Sequence, residues 1–226
     1  MEINADFSQP VLVHSDVLDW VPSPMVGVDR RMLDRIGAEV ARATSIVRYA
    51  KGSAFAQHTH SGGEEFIVLD GVFQDEHGDY PTGTYVRNPV GTHHVPSSEP
   101  GCTIFVKLWQ FEPDDQEQLA IDLNSLELIP DPDNPSRQSA VLARRNYEEV
   151  ILEQWAPETE MELCDPGGVE VLVLAGSLMH GGEVFSPNDW MRWPSGQKIN
   201  LRSGSNGARL WIKHGHLRDI RLPPQS

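Results

Sequence analysis

The sequence predicts an all-β chain made of two tandem copies of one unit, and three observations carry that expectation. Apolar residues recur in short alternating runs bounded by turn residues, and no segment has a convincing helical period. The chain also matches itself at a constant shift of 105 residues, with Gly62-Gly63-Glu64-Glu65-Phe66-Ile67-Val68-Leu69-Asp70-Gly71 lying over Gly167-Gly168-Val169-Glu170-Val171-Leu172-Val173-Leu174-Ala175-Gly176. At the same shift Pro89-Val90-Gly91 lies over Pro194-Ser195-Gly196, Tyr85 over Trp190, and Phe105–Trp109 over Leu210–His214, so the repeat is expected to be free of gaps.

Taken in order, Asp29–Ile36 is short and is followed by Gly37, which favours a strand over a helical turn. Val40–Tyr49 alternates and places Ala41, Ala43, Ser45, Val47 and Tyr49 on one side. His58 and His60 are two apart and so project together from a strand. Ser61-Gly62-Gly63 reads as a turn, after which Glu64 opens a strand on the same face as Phe66 and Val68, with Glu65, Ile67 and Leu69 opposite. Asp70-Gly71 reads as a hairpin, and Pro89-Val90-Gly91 as the turn before His94. The acidic, proline-rich segments Glu112–Gln116 and Ile129–Pro135 read as an exposed connector. The expected domains are 1–112 and 113–226, with Leu119–Leu128 opening the second.

His58, His60, Glu64 and His94 are the candidate metal ligands. Three imidazoles and a carboxylate supply most of a coordination sphere for Zn, Fe, Mn or Ni and leave one or two positions open. In the second copy these positions become Leu163, Asp165, Val169 and Ile199. Leu, Val and Ile cannot bind a metal and Asp165 alone cannot hold one. One divalent transition metal per chain follows, with a structural role for the second copy or, as the alternative, a vacant small-molecule pocket there.

The 226 residues carry a net charge of -15, which argues against nucleic acid and anionic membranes as partners. Two cysteines, Cys102 and Cys164, are too few for a disulfide framework, and no Cys-x2-Cys zinc module is present. No signal peptide is visible at Met1–Asp6, and no apolar run approaches the roughly 18 residues of a membrane span. A cytoplasmic location is the expectation.

The blocks Gly52-x5-His58-x-His60-x3-Glu64-x6-Gly71 and Gly83-x5-Pro89-x-Gly91-x2-His94 resemble the paired motifs of the cupin superfamily. That resemblance implies two tandem jelly-roll (double-stranded β-helix) barrels, a bicupin. The superfamily often has Asn four residues after the last histidine, where this chain has Ser98. The stretch His58–Pro89 is similar to the cupin domain of ChrR-type anti-sigma factors, closely over residues 20 to 111. The resemblance implies a metal, usually zinc, at His58, His60, Glu64 and His94, and a role in sensing reactive oxygen. In those proteins a separate helical zinc domain with a His-x3-Cys-x2-Cys signature holds the sigma factor. Here the barrel begins within about 45 residues and the first cysteine is Cys102, so direct sigma-factor binding is not expected.

Of the other histidines, His93 is expected to face away from His94, His77 to lie at a hairpin tip, and His214-x-His216 to be incidental. Cys102 reads as a small buried residue. No catalytic base separate from the ligands stands out. The chain is therefore expected to be a metal-binding sensor or regulatory module with a small-molecule ligand at the metal. A mononuclear non-haem metal dioxygenase acting on a small organic substrate is the alternative. A homodimer is compatible with either.

Overall fold

The computed structural model describes residues 1–224. Every element is a strand except one 3-10 turn at Ser15–Val17, and every strand pairing is antiparallel. The chain divides into two compact units. The first comprises residues 1–5, 18–125 and the terminal segment from Arg221; the second comprises residues 6–17 and 126–220.

In the first unit the sheet runs Glu2–Ile3, Val28–Gly37, Ala41–Tyr49, Cys102–Leu108, Glu64–Asp75, Thr84–Asn88, Leu119–Asp122. Both strands expected from the sequence upstream of His58 are present. The inner face carries Val28, Val47, Phe66, Val68, Phe73, Val86, Cys102, Ile104 and Val106, an apolar core produced by period-two alternation. Glu64 lies one step from Phe66 on that same face. A separate two-stranded ribbon brings the histidines to this end of the barrel, with His94 opposite His58 and His93 opposite Thr59.

Three expectations are corrected. Asp70-Gly71 is not a hairpin: the strand Glu64–Asp75 continues through it, and the turn comes at Glu76-His77. The ladder with Cys102–Leu108 shifts register between Thr103 and Ile104, leaving Leu69 as the extra residue of a β-bulge, and Gly71, at φ 74°, follows where the strand passes to its next partner at Val72. The boundary near residue 113 falls too early, because Leu119–Asp122 pairs with Thr84–Arg87 in the first unit instead of opening the second. A proline-rich composition marks exposed chain, but it does not mark the point where pairing changes partner. Likewise Val11–Val13 pairs with Trp190–Arg192 in the second unit, which the sequence did not signal.

The second unit has the order Ile129–Pro130, Arg137–Arg144, Glu149–Trp155, Ile199–His214, Val169–His180, Trp190–Trp193, Val11–Val13. Its registers repeat those of the first. Leu163 faces Ile199 as His58 faces His94. Glu170 faces Lys213 as Glu65 faces Lys107, a shift of 106 in the last strand. The repeat is therefore not free of gaps: three residues separate Ser98 from Cys102, but four separate Ser203 from Ala208, and Tyr49 faces Cys102 as Trp155 faces Ala208, so the shift also changes between that strand and His58.

Candidate metal centre

The four predicted ligands come together. One ligand atom from each of His58, His60, Glu64 and His94 lies within 4.8 Å of all the others. Nε2 of His94 is 3.2 Å from Nε2 of His58 and 3.3 Å from Nε2 of His60. Oε2 of Glu64 is 3.3 Å from Nε2 of His60 and 3.8 Å from Nε2 of His94. Metal–nitrogen bonds of about 2.1 Å at angles of about 90–109° place two ligand nitrogens about 3.0–3.4 Å apart, so the spacing fits a single small cation. His60, Glu64 and His94 are buried and His58 is exposed.

The far side of each ring fixes what points inward. The Thr92 hydroxyl donates to the Pro89 carbonyl at 2.7 Å, so it can only accept from Nδ1 of His60, 2.9 Å away. The His60 proton thus sits on Nδ1, and Nε2 turns a lone pair into the cluster. Nδ1 of His94 lies 3.4 Å from Oδ2 of Asp75, a contact longer and less well aligned than a proper hydrogen bond. The carboxylate still favours the His94 proton on that side. Two lone pairs then meet at 3.3 Å, an arrangement that an intervening cation relieves. Glu64 is held through Oε2 by Nδ2 of Asn88 at 3.1 Å, and Gln118 in turn donates to Oδ1 of Asn88 at 3.3 Å.

Proton affinities follow the same environment. Burial pulls His58 and His60 below the ordinary imidazole value against the opposing charge of Glu64, which keeps both available as neutral ligands. Burial also acts most strongly on His94, but the facing Asp75 carboxylate and the charges of Glu64 and Glu76 outweigh it and raise that ring. Burial is the largest influence on Asp75 too, yet the facing His94 ring and the hydrogen bond from the His77 amide hold it below the usual carboxylate range.

Sequence reasoning missed Asn88, Thr92, Asp75 and Gln118. Asn88 could have been found, because it lies on the strand paired with Glu64 and falls on the same face. Gln118 could not, since its segment was assigned to the wrong unit. The remaining expectations hold individually: His93 and His77 are exposed, and Ser98 donates to the Val72 carbonyl at 2.6 Å. Cys102 is buried, with its thiol pushed up to about 11 by desolvation, and Cys164 is exposed. His216 has a partner in the second unit, its Nε2 sitting 2.8 Å from Oε2 of buried Glu170.

In the second unit Leu163, Val169 and Ile199 belong to a buried apolar cluster that includes Trp193. Trp193 stands where the repeat has Asn88, so an indole occupies the position of the side chain that steadies Glu64.

Residues 8–112 match the family model described as ChrR Cupin-like domain. No curated protein matches the chain. Among solved structures, a candidate dioxygenase from Nostoc punctiforme is similar at 12% identity and a TM-score of 0.69, over 100% of this chain and 86% of that one. YlbA of Escherichia coli is similar at 15% identity and a TM-score of 0.70, over 96% of this chain and 94% of that one. A variant of oxalate decarboxylase from Bacillus subtilis is similar at 11% identity and a TM-score of 0.62, over 91% and 77%. At these identities the likeness is one of fold. The family match thus falls on residues 8–112, the part of the chain that carries the cluster of three histidines and one glutamate, and the likeness to solved structures over most of the chain is one of fold.

Proposed function

We propose that this chain is a cupin and a metal-binding regulatory module of the ChrR-like type, a bicupin whose first barrel holds one divalent transition metal, zinc by preference. The observation that carries the reading is the pair of inward-facing imidazole lone pairs at 3.3 Å, joined by His58 and by a carboxylate that Asn88 steadies. When bound, the metal would supply a Lewis acid with open coordination positions. The protein's own side chains do the rest: Thr92 fixes the His60 tautomer, Asp75 draws the His94 proton outward, and Asn88 orients Glu64. His58 is the exposed ligand, so a small molecule reaches the centre from its side. The family match over residues 8–112 supports the regulatory reading. Direct sigma-factor, nucleic-acid and membrane binding are outside it; the net charge of -15 disfavours the last two.

A second reading, a mononuclear non-haem dioxygenase acting on a small organic substrate, draws on the fold shared with the Nostoc candidate dioxygenase. The discriminating experiment is elemental analysis of protein purified without added metal, followed by oxygen-electrode measurements on Fe(II)-loaded protein. One zinc per chain and no oxygen uptake support the regulatory module. Native iron with sustained oxygen uptake replaces it with the enzyme. A pull-down against candidate sigma factors completes the test, and stable one-to-one capture would restore an anti-sigma role.

A further inference from the structure

The inner face of the first sheet carries two arginines that the metal centre does not use. Arg30 pairs opposite Val47 and Met32 opposite Ser45, and after a bulge Arg35 pairs opposite Ala43. All three therefore share the face on which Val47 enters the apolar core. A cavity of about 500 Å³ is lined there by Val21, Pro22, Met32, Arg30 and Arg35, with Glu39 as its one acidic lining residue. That volume is in the usual range for a small-molecule site.

The two guanidinium groups are poorly compensated. Arg35 is 5% exposed and donates to the backbone carbonyls of Ala38 and Glu39. Burial lowers its proton affinity and the like charge of Arg30 lowers it further, with only Glu39 opposing. Nε of Arg30 is buried without a hydrogen-bond partner, and among the described residues no carboxylate pairs with Arg30. In a chain with 33 acidic and 18 basic side chains, this is a conspicuous place to leave two cations with Glu39 alone opposing them and, among the described residues, no ion pair to either. Guanidinium forks match carboxylate geometry, whereas walls of Val, Pro and Met favour an apolar body over a hydrated inorganic ion.

We propose that Arg30 and Arg35 form a recognition site for a small organic acid, holding its carboxylate while its apolar body lies against Val21, Pro22 and Met32. None of the four metal ligands takes part, so the site stands independently of the metal reading. Titration calorimetry of the full chain with octanoate tests it, using wild type, Arg30→Leu, Arg30→Gln and His60→Ala. Wild type and His60→Ala should bind octanoate alike. Both Arg30 variants should bind at least tenfold more weakly, with melting temperatures no lower than wild type, because they remove a cation that has no partner. Octanol and inorganic phosphate should each bind wild type at least tenfold more weakly than octanoate. The proposal is overturned if octanoate fails to bind wild type, or if the Arg30 variants bind it undiminished. It is equally overturned if octanol or phosphate matches octanoate, or if His60→Ala abolishes binding and so places the carboxylate at the metal centre.

Discussion

His60 and His94 differ in what grips the back of each ring, and so in how each answers substitution. His60 is fixed by a hydroxyl whose own proton is committed to Pro89, and His94 by a carboxylate at longer range. Removing a direct ligand removes a bond, so His60→Ala and Glu64→Ala should lose stoichiometric metal while the far-ultraviolet circular dichroism stays that of a β protein. His93→Ala should keep its metal, since that ring points to solvent. Metal retained by His94→Ala but lost from His93→Ala would show the wrong histidine to be the ligand. Asn88→Ala leaves all four ligands but frees Glu64. Metal affinity should weaken by about 10–100-fold, the usual cost of losing a residue that orients a ligand, as read by chelator competition.

At the scale of elements, a strand that changes partner midway needs a bend, and Gly71 provides it. A Cβ at Gly71 would lie 2.0 Å from the Gly101 carbonyl, and φ is already 74°. Backbone strain of that kind costs about 1–3 kcal/mol before the clash is counted. Gly71→Ala should therefore lower the melting temperature by several degrees in calorimetry; an unchanged transition would mean that the bend relaxes freely. The segment Asp6–Val17 depends on a different device. His14 places Nδ1 3.1 Å from Asp189 and Nε2 3.2 Å from Glu183, and a ring can donate to both only as the imidazolium. The hydrogen bonds to Asp189 and then Glu183 raise its proton affinity. A raised folded value means that the stabilisation is complete below the unfolded value of about 6.5 and disappears as the pH rises through the folded value. His14→Gln should thus lower the melting temperature at pH 5.5 and have little effect at pH 9; equal losses at both would discount the charge. Alternation made the strands and the inward face of Glu64 legible in the sequence. The bulge at Leu69 and the bend at Gly71 were not legible, because Asp-Gly serves hairpins and bends within a strand alike. The pairing of Leu119–Asp122 was hidden too, since a four-residue edge strand carries no register of its own.

Across the whole chain, the repeat was readable because turn glycines and core alternation recur at one shift across both motifs, and its one-residue gaps were not, because they fall in loops between strands that still match. All four residues of the cluster were readable from spacing alone, yet the side chains that orient them are set by strand pairing and became visible only with the fold. The same comparison argues the stoichiometry. Among the described residues only one cluster of His, Cys, Asp and Glu has metal-site geometry. In the second unit the equivalent positions hold Leu163, Val169 and Ile199, each less than a tenth exposed, with Trp193 fully buried beside them. Its indole Nε1 has no hydrogen-bond partner, so the side chain is held by packing alone. A cation there would lose its hydration to an apolar core and meet no donor set, a cost of several kcal/mol with nothing to offset it. Elemental analysis should therefore give one transition metal per chain, and the Glu64→Ala protein should give none. Two tightly held metals in wild type, or one persisting after Glu64→Ala, would mean that the second unit binds metal through residues outside the repeat-equivalent positions.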